Sequence, residues 1–171
     1  MSIPKLVDAH THVQFAAFKA DAKEVIERTL KNGIWMINVG TQKDTSKQAI
    51  ELAEQYDEGV YATVGLHPIH TDKSFHDVQE LGGGETGFTS RGEEFDFEYY
   101  KKLAEHLKVV AIGECGLDYY RLEEDIDTKK AKQEKAFREH IKVAKAVNKP
   151  LMIHCRPSKR TNDAYEDVLK I

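Results

Sequence analysis

Val109-Val110-Ala111-Ile112-Gly113-Glu114-Cys115-Gly116-Leu117-Asp118 is an apolar run that ends on a carboxylate set between two glycines. Read as a buried strand over Val109 to Ile112, it delivers Glu114 at its mouth, where a carboxylate is costly unless paired or bound to a cation. The same plan recurs outward in both directions. Lys5 to His10 leads into Asp8-Ala9-His10-Thr11-His12, Ile34 to Val39 closes at Gly40, Val60 to Leu66 ends at His67-Pro68, and Leu151 to Ile153 opens on His154-Cys155-Arg156. Amphipathic segments lie between them. Ala22, Val25, Ile26 and Leu30 recur at helical spacing behind Asp21, and Ala49, Leu52, Ala53 and Tyr56 share one face of a helix from about Thr45. A third helix is expected over roughly Asp96 to His106, a fourth behind Thr128 with Phe137, Ile141, Ala144 and Val147 as its stripe, and a fifth from near Thr161 or Asn162. Five alternations predict successive βα units around a parallel sheet. Five units do not close an eight-stranded barrel, so the sheet is open or belongs to a larger body.

The 171 residues fit one domain, with no linker and no repeat finer than the βα rhythm. Hydrophobic content of 40% and 14 Phe and Tyr residues supply a core and exclude a disordered chain. With 25 Lys and Arg against 29 Asp and Glu, the net charge of −4 provides no bulk positive field for nucleic acid or anionic lipid. No signal-peptide core and no membrane-length apolar run is found, so the chain reads as soluble and cytoplasmic, with no membrane partner. Cys115 and Cys155 are too few for a disulfide framework and read as reduced thiols. The polar stretch from Ile69 to about Glu94 is too long for an ordinary connection, and its Gly82-Gly83-Gly84 and Gly87 suggest a lid or a mobile loop.

The chemistry-bearing residues collect where strands end, the side on which α/β folds bind ligands. His10 and His12 point to the same side of an extended backbone, about 6 to 7 Å apart at ~3.3 Å per residue, a spacing that lets two imidazoles close on one ion. Taken singly, each site has a bland reading: a surface histidine pair, a salt-bridged Glu114, a satisfied core His154. Together, three of five strands present His or Glu at one end, a ligand set for Zn, Mn or Fe. Such ions make water reactive near neutrality, which points to metal-assisted hydrolysis. His67 and His70 sit at the third mouth, Asp118, Tyr119, Tyr120 and Arg121 follow the fourth, and Arg156, Lys159 and Arg160 follow the fifth. Arginines there suit phosphate and tyrosines suit a stacked base.

These blocks, with Val64-Gly65-Leu66-His67-Pro68 and Lys149-Pro150-Leu151-Met152-Ile153-His154-Cys155-Arg156, resemble the TatD family of metal-dependent deoxyribonucleases. The resemblance runs from residue 8 to about the chain's end, and the Gly-Glu-x-Gly-Leu-Asp-Tyr block is its most specific part. It implies a (β/α)8 TIM barrel of the amidohydrolase type, of which this chain supplies about the first five βα units, with two divalent ions (Mg2+, Mn2+ or Zn2+) at the strand C-termini. It also implies hydrolysis of DNA, commonly 3′ to 5′ on single strands. Carried over by position, His10 and His12 hold one ion, Glu114 binds or bridges both, and His154 holds the other. Glu114 and His154 form the catalytic part, and His67, Arg121 and Arg156 contact substrate. Family members run about half as long again and add a later His and Asp, so residues 1–171 are expected to be the N-terminal part of a longer enzyme. Two exposed sheet edges then predict self-association or a complementary chain. An amidase or lactonase using the same metal chemistry is the rival enzyme; a silent fragment serving as an assembly module is the rival from another class.

Overall fold

Strand and helix alternate along the computed structural model, which describes residues 3–73, 75–76, 88–89 and 92–171. In chain order the elements are β1 (Leu6–Thr11), α1 (Ala22–Lys31), β2 (Ile34–Val39), α2 (Lys43–Ala53), β3 (Val60–Val64), a 3-10 turn (Pro68–Thr71), β4 (Phe75–His76), β5 (Phe88–Thr89), α3 (Phe97–Ala104), β6 (Val109–Asp118), α4 (Ile126–Val147), β7 (Leu151–Arg156) and α5 (Asp163–Lys170). Five strands pair in the order β1-β2-β3-β6-β7, every pair parallel, while β4 and β5 form a separate antiparallel ribbon. The parallel strands curl into half of a TIM barrel, with helices as crossovers. The glycine-rich stretch at 82–87 lies outside the described residues.

Apolar burial between sheet and helices fixes this arrangement. Ile50, Val64, Leu66, Tyr100, Ile112 and Val143 form the central cluster, while Val13, Ile26, Met36 and Val60 form a second under α1 and α2. A third cluster of Leu117, Tyr119 and Ala164 seats α5. The outer strands are less covered: Leu6 and Val7 of β1 are 66% and 50% exposed, and Ile153 of β7 is 47% exposed. β1 and β7 each pair on one side only among the described residues.

Several boundaries differ from the sequence reading for local reasons. β3 stops at Val64, two residues early, because the next amides leave the ladder: Gly65 N–H donates to Ser46 Oγ at 3.2 Å, Leu66 N–H to His140 Nε2 at 2.8 Å and His67 N–H to the Thr41 carbonyl at 2.9 Å. β6 runs through the glycines to Asp118, not to Ile112, because its register shifts between Ile112 and Cys115 and pairing with β7 resumes at Cys115↔Ile153. β7 likewise continues past Ile153 to Arg156. α4 starts at Ile126, ahead of Thr128, after Asp125 turns the chain in a left-handed conformation without a side-chain cap. Cys115 is buried and Cys155 half-buried, both as free thiols. No helix among the described residues is long and apolar enough to cross a membrane.

Candidate metal centre

The end of β1 is tied to the end of β2 by side chains. Asn38 Oδ1 accepts the Val13 amide at 3.1 Å and lies 3.0 Å from the Thr11 hydroxyl, and Gln14 Nε2 donates to the Val39 carbonyl at 2.8 Å. His12 Nδ1–H donates to that same carbonyl at 3.0 Å. A backbone acceptor on Nδ1 fixes the tautomer and leaves the Nε2 lone pair open, the state in which imidazole ligates a metal. The ring stacks on Phe15 with centroids 4.5 Å apart and meets His10 edge-on at 5.1 Å. Burial lowers the His12 pKa, the Val39 bond opposing it, which favours the neutral ring.

Glu114 enters from β6 through a gap that only glycine permits. Gly113 and Gly116 have φ of +152° and +134°, and a Cβ on either would collide with a backbone carbonyl of β7, that of Met152 or of His154. The Glu114 amide then donates to the Gly40 carbonyl at 2.9 Å, reaching past the end of β3. Its carboxylate faces two ways: Oε2 lies 3.2 Å from His10 Nε2, and Oε1 lies 3.1 Å from His154 Nδ1 and 3.7 Å from His67 Nε2. Two groups of converging ligand atoms result, His10 with His12 and Glu114, and His67 with Glu114 and His154, each within 4.8 Å. Glu114 belongs to both.

The electrostatics follow this geometry. Burial opposes ionisation of Glu114, but hydrogen bonds from His10 and His154 outweigh it and hold the carboxyl well below its ordinary range. The bond to Glu114 raises His10 despite partial burial. His154 is half-buried, which opposes its charge, yet Asp118 and Glu114 lift its pKa to about 9. The raised pKa of His154 favours a proton there, whose charge offsets that of the central carboxylate.

His67 stands apart from the other histidines. Its Nδ1 accepts the Ile69 amide at 3.2 Å, and burial, reinforced by the charge of His154, drops its pKa to about 3. A neutral ring with Nδ1 occupied carries its proton on Nε2, so His67 offers a donor toward the cluster, not a lone pair. Of the two arginines, Arg156 ends β7 with its guanidinium 3.9 Å from the Tyr120 ring centroid, and Lys159 Nζ lies 5.5 Å from the same ring. Arg121 is exposed in the turn after β6.

Two further contributors are Asp118, which the sequence places at the fourth strand mouth without a role, and His140. Asp118 sits four residues after Glu114, an even spacing that returns to the same side of a strand, and its Oδ2 meets His154 Nε2 at 2.9 Å. His140 on α4 is fully buried, and its Nε2 accepts the Leu66 amide beside His67. Donors of this mixture, imidazole with carboxylate, suit Zn, Mn or Fe more than a pure calcium cage. The shared Glu114 and the open Nε2 of His12 fit a divalent-cation centre.

Comparison with known proteins shows what the chain is similar to. The family model described as TatD related DNase matches residues 7–171. The uncharacterised metal-dependent hydrolase YabD of Bacillus subtilis (strain 168) is 35% identical over 167 residues, covering 97% of this chain and 54% of that protein. The 3′-5′ ssDNA/RNA exonuclease TatD of Erwinia tasmaniensis is 32% identical over 166 residues, covering 96% and 54%. The crystal structure of YJJV, a TatD homologue from Escherichia coli K12, superposes with a TM-score of 0.68 at 27% identity, covering 99% of this chain and 56% of that one. The chain thus spans about half the length of the curated relatives it matches. It belongs to the family of TatD-related DNases.

Proposed function

We propose that this chain carries the metal centre of a hydrolase that cleaves phosphodiester bonds of DNA, working as a 3′ to 5′ exonuclease on single strands. The observation that carries the reading is Glu114, with one oxygen turned to His10 and the other to His154. In this reading His10, His12 and Glu114 hold one divalent ion, and Glu114 with His154 holds a second. Bound there, the ions supply Lewis-acid activation of water and of a phosphate oxygen. His67 directs its Nε2–H at a substrate oxygen. Arg156, steadied on Tyr120, clamps phosphate with a planar fork, and Arg121 adds a further substrate contact from the neighbouring turn.

The guanidinium stacked beside an exposed tyrosine favours phosphate and base over an amide or lactone, which need neither. The partly uncovered β1 and β7 also favour strand pairing with a second copy or a complementary chain.

The test is degradation of a 5′-labelled single-stranded oligonucleotide with Mn2+ or Mg2+, run beside amide and lactone panels. The expected result is stepwise loss from the 3′ end, abolished in Glu114→Ala, with KM raised several-fold by Arg156→Ala. Turnover of an amide or lactone with the oligonucleotide intact would defeat the nuclease reading.

A further inference from the structure

The roles just assigned leave one buried carboxylate at the centre without a task. Asp118 is 5% exposed and lies on the far side of His154 from Glu114. The imidazole spans the two acids, with Nε2 2.9 Å from Asp118 Oδ2 and Nδ1 3.1 Å from Glu114 Oε1. A ligating imidazole uses one ring nitrogen and keeps its proton on the other, and an acceptor at that proton sets tautomer, ring rotation and basicity.

We propose that Asp118 is the positioning residue of the metal centre, holding His154 as the Nε2–H tautomer with Nδ1 turned toward Glu114. The inference rests on the reading of His154 as a metal ligand and extends it to the residue that aims the ring.

Three observations separate positioning from ligation. Asp118 lies outside both groups whose ligand atoms converge within 4.8 Å. Its own placement is fixed from several directions: Oδ1 accepts the Tyr120 amide at 3.1 Å, while the backbone amide and carbonyl bond Gln133 of α4 at 2.8 and 2.9 Å. Gln133 is itself buried, and Asp118 pairs with Arg156 in the β6–β7 ladder, so helix and sheet together hold the acceptor still. The third observation is an asymmetry, since the corresponding proton of His12 rests on the neutral Val39 carbonyl and that of His154 on a carboxylate. The two halves of the centre are therefore tuned differently, and loss of Asp118 weakens only the half that contains His154.

The experiment is calorimetric titration of the 171-residue chain with Zn2+, paired with 15N NMR of histidine-labelled protein loaded with the same diamagnetic ion to read the protonated ring nitrogen. In Asp118→Ala the expected result is a loss of roughly 10- to 100-fold in affinity in one binding step, with the remaining binding unchanged. Asp118→Asn, whose amide oxygen still accepts from Nε2–H, recovers part of the loss. In loaded wild-type protein His154 carries its proton on Nε2. If Asp118→Ala fails to fold by circular dichroism, the Asn variant and the wild-type tautomer carry the test. Unchanged affinity in a folded Asp118→Ala variant, or a loaded His154 protonated on Nδ1, overturns the inference while leaving the metal centre intact. A wild-type chain that binds no divalent ion overturns the metal-centre reading itself.

Discussion

Raising the pH of the metal-free protein probes the charge balance of the centre without any ligand. His154 holds its proton to about pH 9 in the folded chain, against an ordinary value of 6.5, because its bonds to Asp118 and Glu114 outweigh burial. The folded state then binds this proton more tightly than the unfolded state. The resulting stabilisation is complete below pH 6.5 and disappears as pH rises through about 9. At ~1.4 kcal/mol per pH unit, that interval is worth about 3 kcal/mol. His154 is only 21% exposed, so solvent trims this figure without erasing it. His10 is raised by Glu114 and acts in the same direction. His67 and His140, held neutral by burial to about pH 3 and 4, act oppositely: their contributions are present above 6.5 and lost as pH falls below it. The metal-free chain should therefore be most stable near pH 6.5. Urea denaturation followed by circular dichroism at pH 6.5 and 9 measures the alkaline loss, and Glu114→Gln should remove roughly half of it by removing one of the two negative charges that face His154. Equal stability at the two pH values, or a full alkaline loss in Glu114→Gln, would refute the reasoning.

Gly116→Ala should destabilise the fold by more than about 2 kcal/mol, because its Cβ would collide with the His154 carbonyl at a φ that L residues rarely adopt; a melting temperature within a degree of the parent's contradicts this. His140→Phe keeps the ring packing against Phe95 but strands the buried Leu66 amide, costing about 1 to 3 kcal/mol in urea unfolding and flattening the acid limb below pH 6.5. Sedimentation should show concentration-dependent self-association that Val7→Lys or Ile153→Lys reduces; a monomer at all concentrations argues against open-edge pairing.

Much of the architecture was legible because strands buried in a parallel sheet are written as unbroken apolar runs, and the polar residues at their ends cannot belong to the core. That logic located His10, His12, Glu114, His67 and His154 at one end of the sheet. It failed where backbone and side chain exchange roles. The Gly-Glu-Cys-Gly block looks like a turn, yet those glycines are what let β6 shift register and pair again with β7. Asp118 is visible at the fourth strand mouth, but its role is not, because an acid after a strand is ordinarily a solvated loop charge; its backbone is held by Gln133, fifteen residues away on α4. His140 carries no local signal, since its partner is a backbone amide 74 residues distant. The short β4–β5 ribbon left no trace either, as two residues per strand set up no alternation.

The central claim is that Glu114 joins the histidines of β1 and β7 around divalent cations, and metal content after loading and desalting tests it most directly. Mass spectrometry of the Mn2+-loaded wild-type chain should find close to two ions per molecule, with little or none retained by Glu114→Ala of intact fold. Equal occupancy in the two proteins would contradict the account.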